Sequence, residues 1–152
     1  MRQIRILQFS GVAALAYGTV LLFRGGPDVQ MTVAGMEGSV FPRVGVFLLY
    51  LFACVFFVGG ISLLMKAYAC SWMKTIEIMG RPVEVNESNK PIILNGLCAT
   101  GVSLLLTMSA MLIPTSDFRL ERIEAIGGFV VGTIGCMGSA FWTSRKLRSH
   151  ET

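Results

Sequence analysis

Four stretches of this chain run without a charged side chain for close to the length of a membrane-crossing helix: residues 6–23, 44–65, 92–113 and 126–142. The clearest is Val44–Met65, VGVFLLYLFACVFFVGGISLLM. At the helical rise it spans roughly 33 Å, enough for the hydrocarbon core of a bilayer. Ile92–Ile113 is equally long and is flanked by Pro91 and Pro114. Ile6–Phe23 is somewhat shorter. Ile126–Trp142 is the shortest, so it needs a turn or two of its neighbours to cross. The pattern predicts an all-α integral membrane protein, a single four-helix domain over residues 1–152 with four transmembrane helices.

The segments between these runs are polar and rich in turn formers. Residues 24–43 contain four glycines and two prolines, which reads as an irregular loop. Phe41-Pro42 then leads into the second helix, where a missing N–H costs nothing. Residues 66–91 form the longest connection. Within it, Ile76, Ile78, Val83 and Val85 alternate with Glu77 and Glu84 around Met79-Gly80-Arg81-Pro82, a period-two pattern that predicts a short hairpin over residues 75–86. An interfacial helix or coil fits the same stretch. Asn86-Glu87-Ser88 matches a glycosylation sequon, a triplet common by chance. The third connection is short, and Ser116 or Asp117 suits a helix cap. The segment after Trp142, TSRKLRSHET, reads as a basic, mobile tail. Arg2 and Arg5 before an apolar run also fit a signal peptide. That run is longer than the usual apolar core of such a peptide, and no A-x-A site follows; we read a retained helix.

Basic residues orient membrane helices. Arg2, Arg5, Lys66, Lys74, Arg81, Lys90, Arg145, Lys146 and Arg148 fall on one side, and Arg24, Arg43, Arg119 and Arg122 on the other. Nine against four places both termini and the 66–91 connection inside. Trp72 and Trp142 then serve as anchors at the inner interface.

Composition agrees with this reading: 53% of residues are hydrophobic and 14% charged, where soluble domains carry about 25% charged. The net charge of +4 comes without a basic patch interleaved with aromatics, so no nucleic-acid partner is expected. The expected site is a bacterial inner membrane or an organellar inner membrane.

Small residues let membrane helices approach closely. The fourth span carries Gly128, Gly132, Cys136 and Ala140 at every fourth position, the first carries Ser10, Ala14 and Gly18, and the third carries Asn95, Ala99, Ser103 and Thr107. These are the predicted helix-packing residues. The second span is bulkier: Phe47, Tyr50, Phe52, Phe56 and Phe57 are expected to face lipid, a pigment or a partner subunit.

Catalytic chemistry has few carriers here. No span contains Asp, Glu, Lys, Arg or His, whereas pumps and ion-coupled carriers place an ionisable group at membrane depth. Cys54, Cys70, Cys98 and Cys136 form no CxxC, and the single histidine, His150, lies beyond the last span. Asn95 is the most polar span residue, and Ser103, Thr107 and Thr133 can bond their own helix backbone. We therefore expect no enzyme, no catalytic or metal-binding residue and no cofactor of its own, with bound lipid and a pigment at a subunit interface as the conceivable ligands. The expected role is a non-catalytic accessory or structural subunit of a transport, respiratory or photosynthetic membrane complex, whose partners are other integral membrane subunits and lipid. The alternatives are a small membrane subunit of a multi-component solute transporter and a self-associating four-helix scaffold.

Gly38-Ser39-Val40-Phe41-Pro42 before a long second span, with Gly128-Phe129 followed by Gly132-Thr133, resembles the small membrane subunit of tripartite tricarboxylate transporters. The similarity covers about a fifth of the chain, and the final apolar segment of that family has no counterpart here. The resemblance implies a non-conducting partner of a large permease.

Overall fold

A computed structural model describes residues 2–23, 28–33, 36–78, 80–111 and 119–151. Four helices carry the fold: α1 (Arg2–Phe23), α2 (Arg43–Ala69), α3 (Lys90–Met111) and α4 (Arg119–Glu151). Two antiparallel hairpins join them, β1 (Asp28–Val33) with β2 (Met36–Pro42), and β3 (Thr75–Ile78) with β4 (Arg81–Glu84). Among the described residues, three helices are long and apolar enough to cross a membrane: Val44–Ala69, Lys90–Ala110 and Ile126–Ser149. α1, 22 residues long, is not among these three.

The connection over 24–43, read as irregular, contains a correction. Residues 28–33 pair with 36–42 in register Val29↔Phe41 and Gln30↔Val40, with an irregularity between Met31 and Val33. Valine, threonine and phenylalanine favour the extended backbone. Pro42 ends β2, so its missing N–H removes no interior ladder bond.

α2 stops in a Schellman arrangement. Trp72 N–H donates to Ala67 O at 2.9 Å and Ser71 N–H to Tyr68 O at 3.1 Å. Ser71 takes the left-handed position at φ 58°, which glycine usually fills. The β3–β4 hairpin follows, pairing Ile78 with Arg81 across a two-residue turn. Gly80 holds φ 75° there, a conformation that costs a side chain dearly. Asn86 and Asn89 then lock the chain into α3. Asn89 N–H donates to Asn86 Oδ1 at 3.0 Å, and Asn86 N–H donates to Asn89 Oδ1 at 2.9 Å. Pro91 sits in the first turn of α3, where its nitrogen needs no partner.

Helix contacts set the layout. Gln3 Nε2 donates to Asn95 Oδ1 at 3.1 Å and Leu7 meets Gly101, so α1 and α3 run parallel. Gly11 meets Val58 and Gly18 meets Tyr50, so α2 runs against α1. α4 runs against α3, from Gly128 beside Ala110 to Thr143 beside Gly96. The first described residues of α1 and the last turns of α4 therefore share one end of the bundle, together with the β3–β4 hairpin. The main core lies between α1, α2 and α3, around Ile4, Leu7, Tyr50, Cys54, Met65, Cys98 and Leu105. α4 packs along α3, and among the described residues neither α1 nor α2 makes a comparable contact with it.

The tail after Trp142 is a second correction. α4 continues unbroken to Glu151, 33 residues in all, or about 50 Å, well beyond a bilayer core. Leu147, 3% exposed, holds this overhang. It clusters with Ile92 and Ile93, and the apolar face of the hairpin, Ile76, Ile78, Val83 and Val85, packs against that cluster. A period-two apolar face on the hairpin and one leucine on the helix cover each other, which neither does alone.

Candidate functional site

The α3–α4 seam is where backbones come closest. A methyl group placed on Gly132 would overlap the Thr107 hydroxyl and lie 3.0 Å from Ser103 O; one on Gly135 would lie 2.5 Å from Ser103 Oγ; one on Gly128 would lie 2.8 Å from Ala110 Cβ. Gly96 admits the Thr143 side chain in the same way. Thr100 and Ser139 join across the seam at 2.8 Å between hydroxyl oxygens. Two further hydroxyls turn back on their own helices: Thr107 donates to Ser103 O at 3.0 Å and Thr143 to Ser139 O at 2.7 Å. The hydroxyls of Thr100, Thr107, Ser139 and Thr143 are thus partnered inside the protein.

Tyr50 ties the other three helices together. Its hydroxyl donates to Ala14 O on α1 at 2.8 Å and lies 2.9 Å from Ser109 Oγ on α3. Gly18 leaves the space its ring occupies. Tyr50, 2% exposed, is therefore a core residue and is removed from the predicted outward aromatic face.

Phe52, Phe56 and Phe57 do face outward. Phe52 and Phe56 stack with ring centres 6.2 Å apart, and Phe57 meets Phe56 edge-on at 6.0 Å. Phe47 is half-buried. Trp72 is exposed just past α2, and exposed Trp142 carries the Lys146 ammonium 4.8 Å above its ring.

The predicted packing residues divide. Gly18, Ser103, Gly128 and Gly132 lie at close helix contacts, and Ala14 supports Tyr50. Ser10 bonds Ile6 O at 2.9 Å and lines a groove. Cys136 lies 3.9 Å from Thr100 O, and Ala140 lines a cavity beside Thr143. Ala99 is exposed and Asn95 meets α1 rather than α4, so neither belongs to the α3–α4 seam. The seam instead uses Gly96, Thr100, Gly135, Ser139 and Thr143, which lie off the predicted stripes.

Because α3 is the one helix that α4 packs along among the described residues, a groove of about 580 Å³ opens between α1 and α4 over α3. Ser10, Ala14, Tyr17, Leu106, Ser109 and Gly128 line it. Among the described residues, no charged side chain lines it. Ser10 donates to its own helix, and Ser109 is already engaged with Leu105 O and Tyr50. Such a groove suits an acyl chain or the side of another helix far better than a polar solute. Among the described residues, no group of three or more His, Cys, Asp or Glu is placed to hold a metal ion.

Fold and site together define the class: a helical membrane protein with outward apolar helix faces and a lateral apolar groove. No protein family, curated protein or solved structure matches the chain.

Proposed function

We propose that this chain is a non-catalytic accessory subunit of a larger membrane complex, with four crossing helices and both termini on the inner side. The observation that carries the reading is how little of its apolar helix surface the chain covers itself. Only 17% of the membrane window of α2 and 17% of that of α4 is buried within the protein, against 39% for α3. Lipid alone would accept those faces. Helices that also carry stacked aromatics, beside a groove whose two serine hydroxyls are already engaged, are suited to a protein neighbour as well. α1 counts as the fourth crossing helix in this proposal because it packs parallel to α3 at the same depth, with its arginines at the basic end.

Purification in mild detergent, followed by native mass measurement, tests the reading. A particle containing other polypeptides is expected. A monomer that reconstitutes solute transport alone would overturn it, and a pure homo-oligomer would favour the self-associating scaffold. A compartment-specific reporter fused after Glu151 tests the orientation: an outside-only reporter that becomes active refutes it.

A further inference from the structure

At the basic end of the bundle, the last turns of α4 and the hairpin enclose a niche of about 80 Å³. Arg81 and Pro82 of β4, Ser144 and Arg148 of α4 line its rim, and Val83 and Leu147 form its apolar floor. The two arginines come from elements far apart in sequence, separated by the whole of α3, and the Leu147 contact brings them together. Neither forms an ion pair with a carboxylate among the described residues, where Lys90–Glu87 is the one pair found. Glu77 and Glu84, the acidic side chains of the hairpin, are set differently. Glu84 lies at the far end of β4 from Arg81, paired with Thr75, and Glu77 sits across from Pro82 without lining the niche. Arg145 and Lys146 lie on adjoining faces, exposed, and add to the positive field.

The outer surface of α4 continues from this niche. Arg148, Ser144, Phe141, Met137, Ile134 and Val130 follow one another at alternating steps of four and three residues, which places them on one helix face. Phe141, Met137, Ile134 and Val130 are all exposed. One face therefore carries paired guanidinium groups and a hydroxyl at the membrane surface and an uncovered apolar track into the membrane.

We propose that this face binds an anionic phospholipid, its phosphate between Arg81 and Arg148 and an acyl chain along Phe141 and Met137. The planar guanidinium fork matches phosphate oxygens in pairs. The niche has room for a headgroup phosphate, and the track makes a lipid, rather than a free phosphate ion, the fitting source. The proposal rests on α4 crossing the membrane, and it stands apart from any partner subunit.

The test uses the full chain carrying Trp72→Phe, so that Trp142 reports alone. It is reconstituted in phosphatidylcholine vesicles containing brominated phosphatidylglycerol or brominated phosphatidylcholine, and quenching is measured. Two surface cations should make the anionic lipid associate about thirtyfold more strongly. Arg81→Gln with Arg148→Gln should bring the two lipids to parity, with helicity by circular dichroism unchanged. Arg148→Gln alone, at an exposed helix position, should remove at least half of the preference and serves if the double variant misfolds. Arg145→Gln with Lys146→Gln should keep most of it, and millimolar inorganic phosphate should leave it intact. Parity in the parent protein, loss only on changing Arg145 and Lys146, or displacement by inorganic phosphate would each overturn the proposal. Because the isolated chain is measured, failure here leaves the subunit reading standing, and a failed partner purification leaves this one standing.

Discussion

Gly132→Ala tests how α4 is held. The added methyl would overlap the Thr107 hydroxyl, which can rotate away, but it would also lie 2.9 Å from Thr107 N and 3.0 Å from Ser103 O. Those are backbone atoms, and relieving them means moving α3 and α4 apart. Overpacking of this kind costs about 1–3 kcal/mol. Separation also stretches the Thr100–Ser139 bond, now 2.8 Å, and interhelical hydrogen bonds in membranes contribute about 0.6–1.7 kcal/mol. A total loss of about 2–4 kcal/mol follows. No second helix compensates, because α4 packs along α3 alone among the described residues. Gly138→Ala is the control, since a methyl there meets nothing within 4 Å; its effect should stay within about 0.5 kcal/mol. Unfolding in mixed micelles with rising dodecyl sulfate, followed by circular dichroism, reads both. Equal midpoints for the two variants would refute the seam as the holding contact.

Tyr50→Phe should cost about 1 kcal/mol in the same assay, because it removes the hydroxyl that links α1, α2 and α3; an unchanged midpoint would mean the link is worth nothing. Leu147→Ala should release the end of α4 from the hairpin, at about 2 kcal/mol or more, and should speed tryptic cleavage after Arg145 and Arg148. Cleavage at the parent rate would show that the overhang is held by something else. Phe52→Ala with Phe56→Ala should change the isolated protein by less than about 0.5 kcal/mol, since both rings are exposed, yet weaken recovery of a partner subunit. Unchanged co-purification would count against that face.

The apolar helices were legible in the sequence because they depend on one-dimensional quantities, the length of an uncharged run and its hydropathy. The alternation of Ile76, Ile78, Val83 and Val85 was legible for the same reason, since period two is a local property. The packing stripes were only half legible. A strict four-residue step advances about 40° around a helix each time, so over three steps it leaves the contact line. The real seam mixes steps of four and three, Gly96, Thr100, Ser103, Thr107 and Ala110 against Thr143, Ser139, Gly135, Gly132 and Gly128, so the contact line keeps to one face of each helix. That is why Ser103, Gly128 and Gly132 were found and Gly96, Thr100 and Gly135 were not.

Tertiary structure decided what depends on a partner in space. Tyr50 belongs to the same aromatic run as Phe52 and Phe56, and only the gap at Gly18 and the carbonyl of Ala14 turn it inward. The basic segment after Trp142 looks like a loose tail until Leu147 meets the hairpin, because a helix end is stabilised by burial that its own sequence does not display. That same contact brings Arg81 to Arg148. Hydrophobicity along the chain told which helices are long and apolar enough to cross a membrane; which faces meet each other, and which stay uncovered, was settled by close packing between residues far apart in sequence.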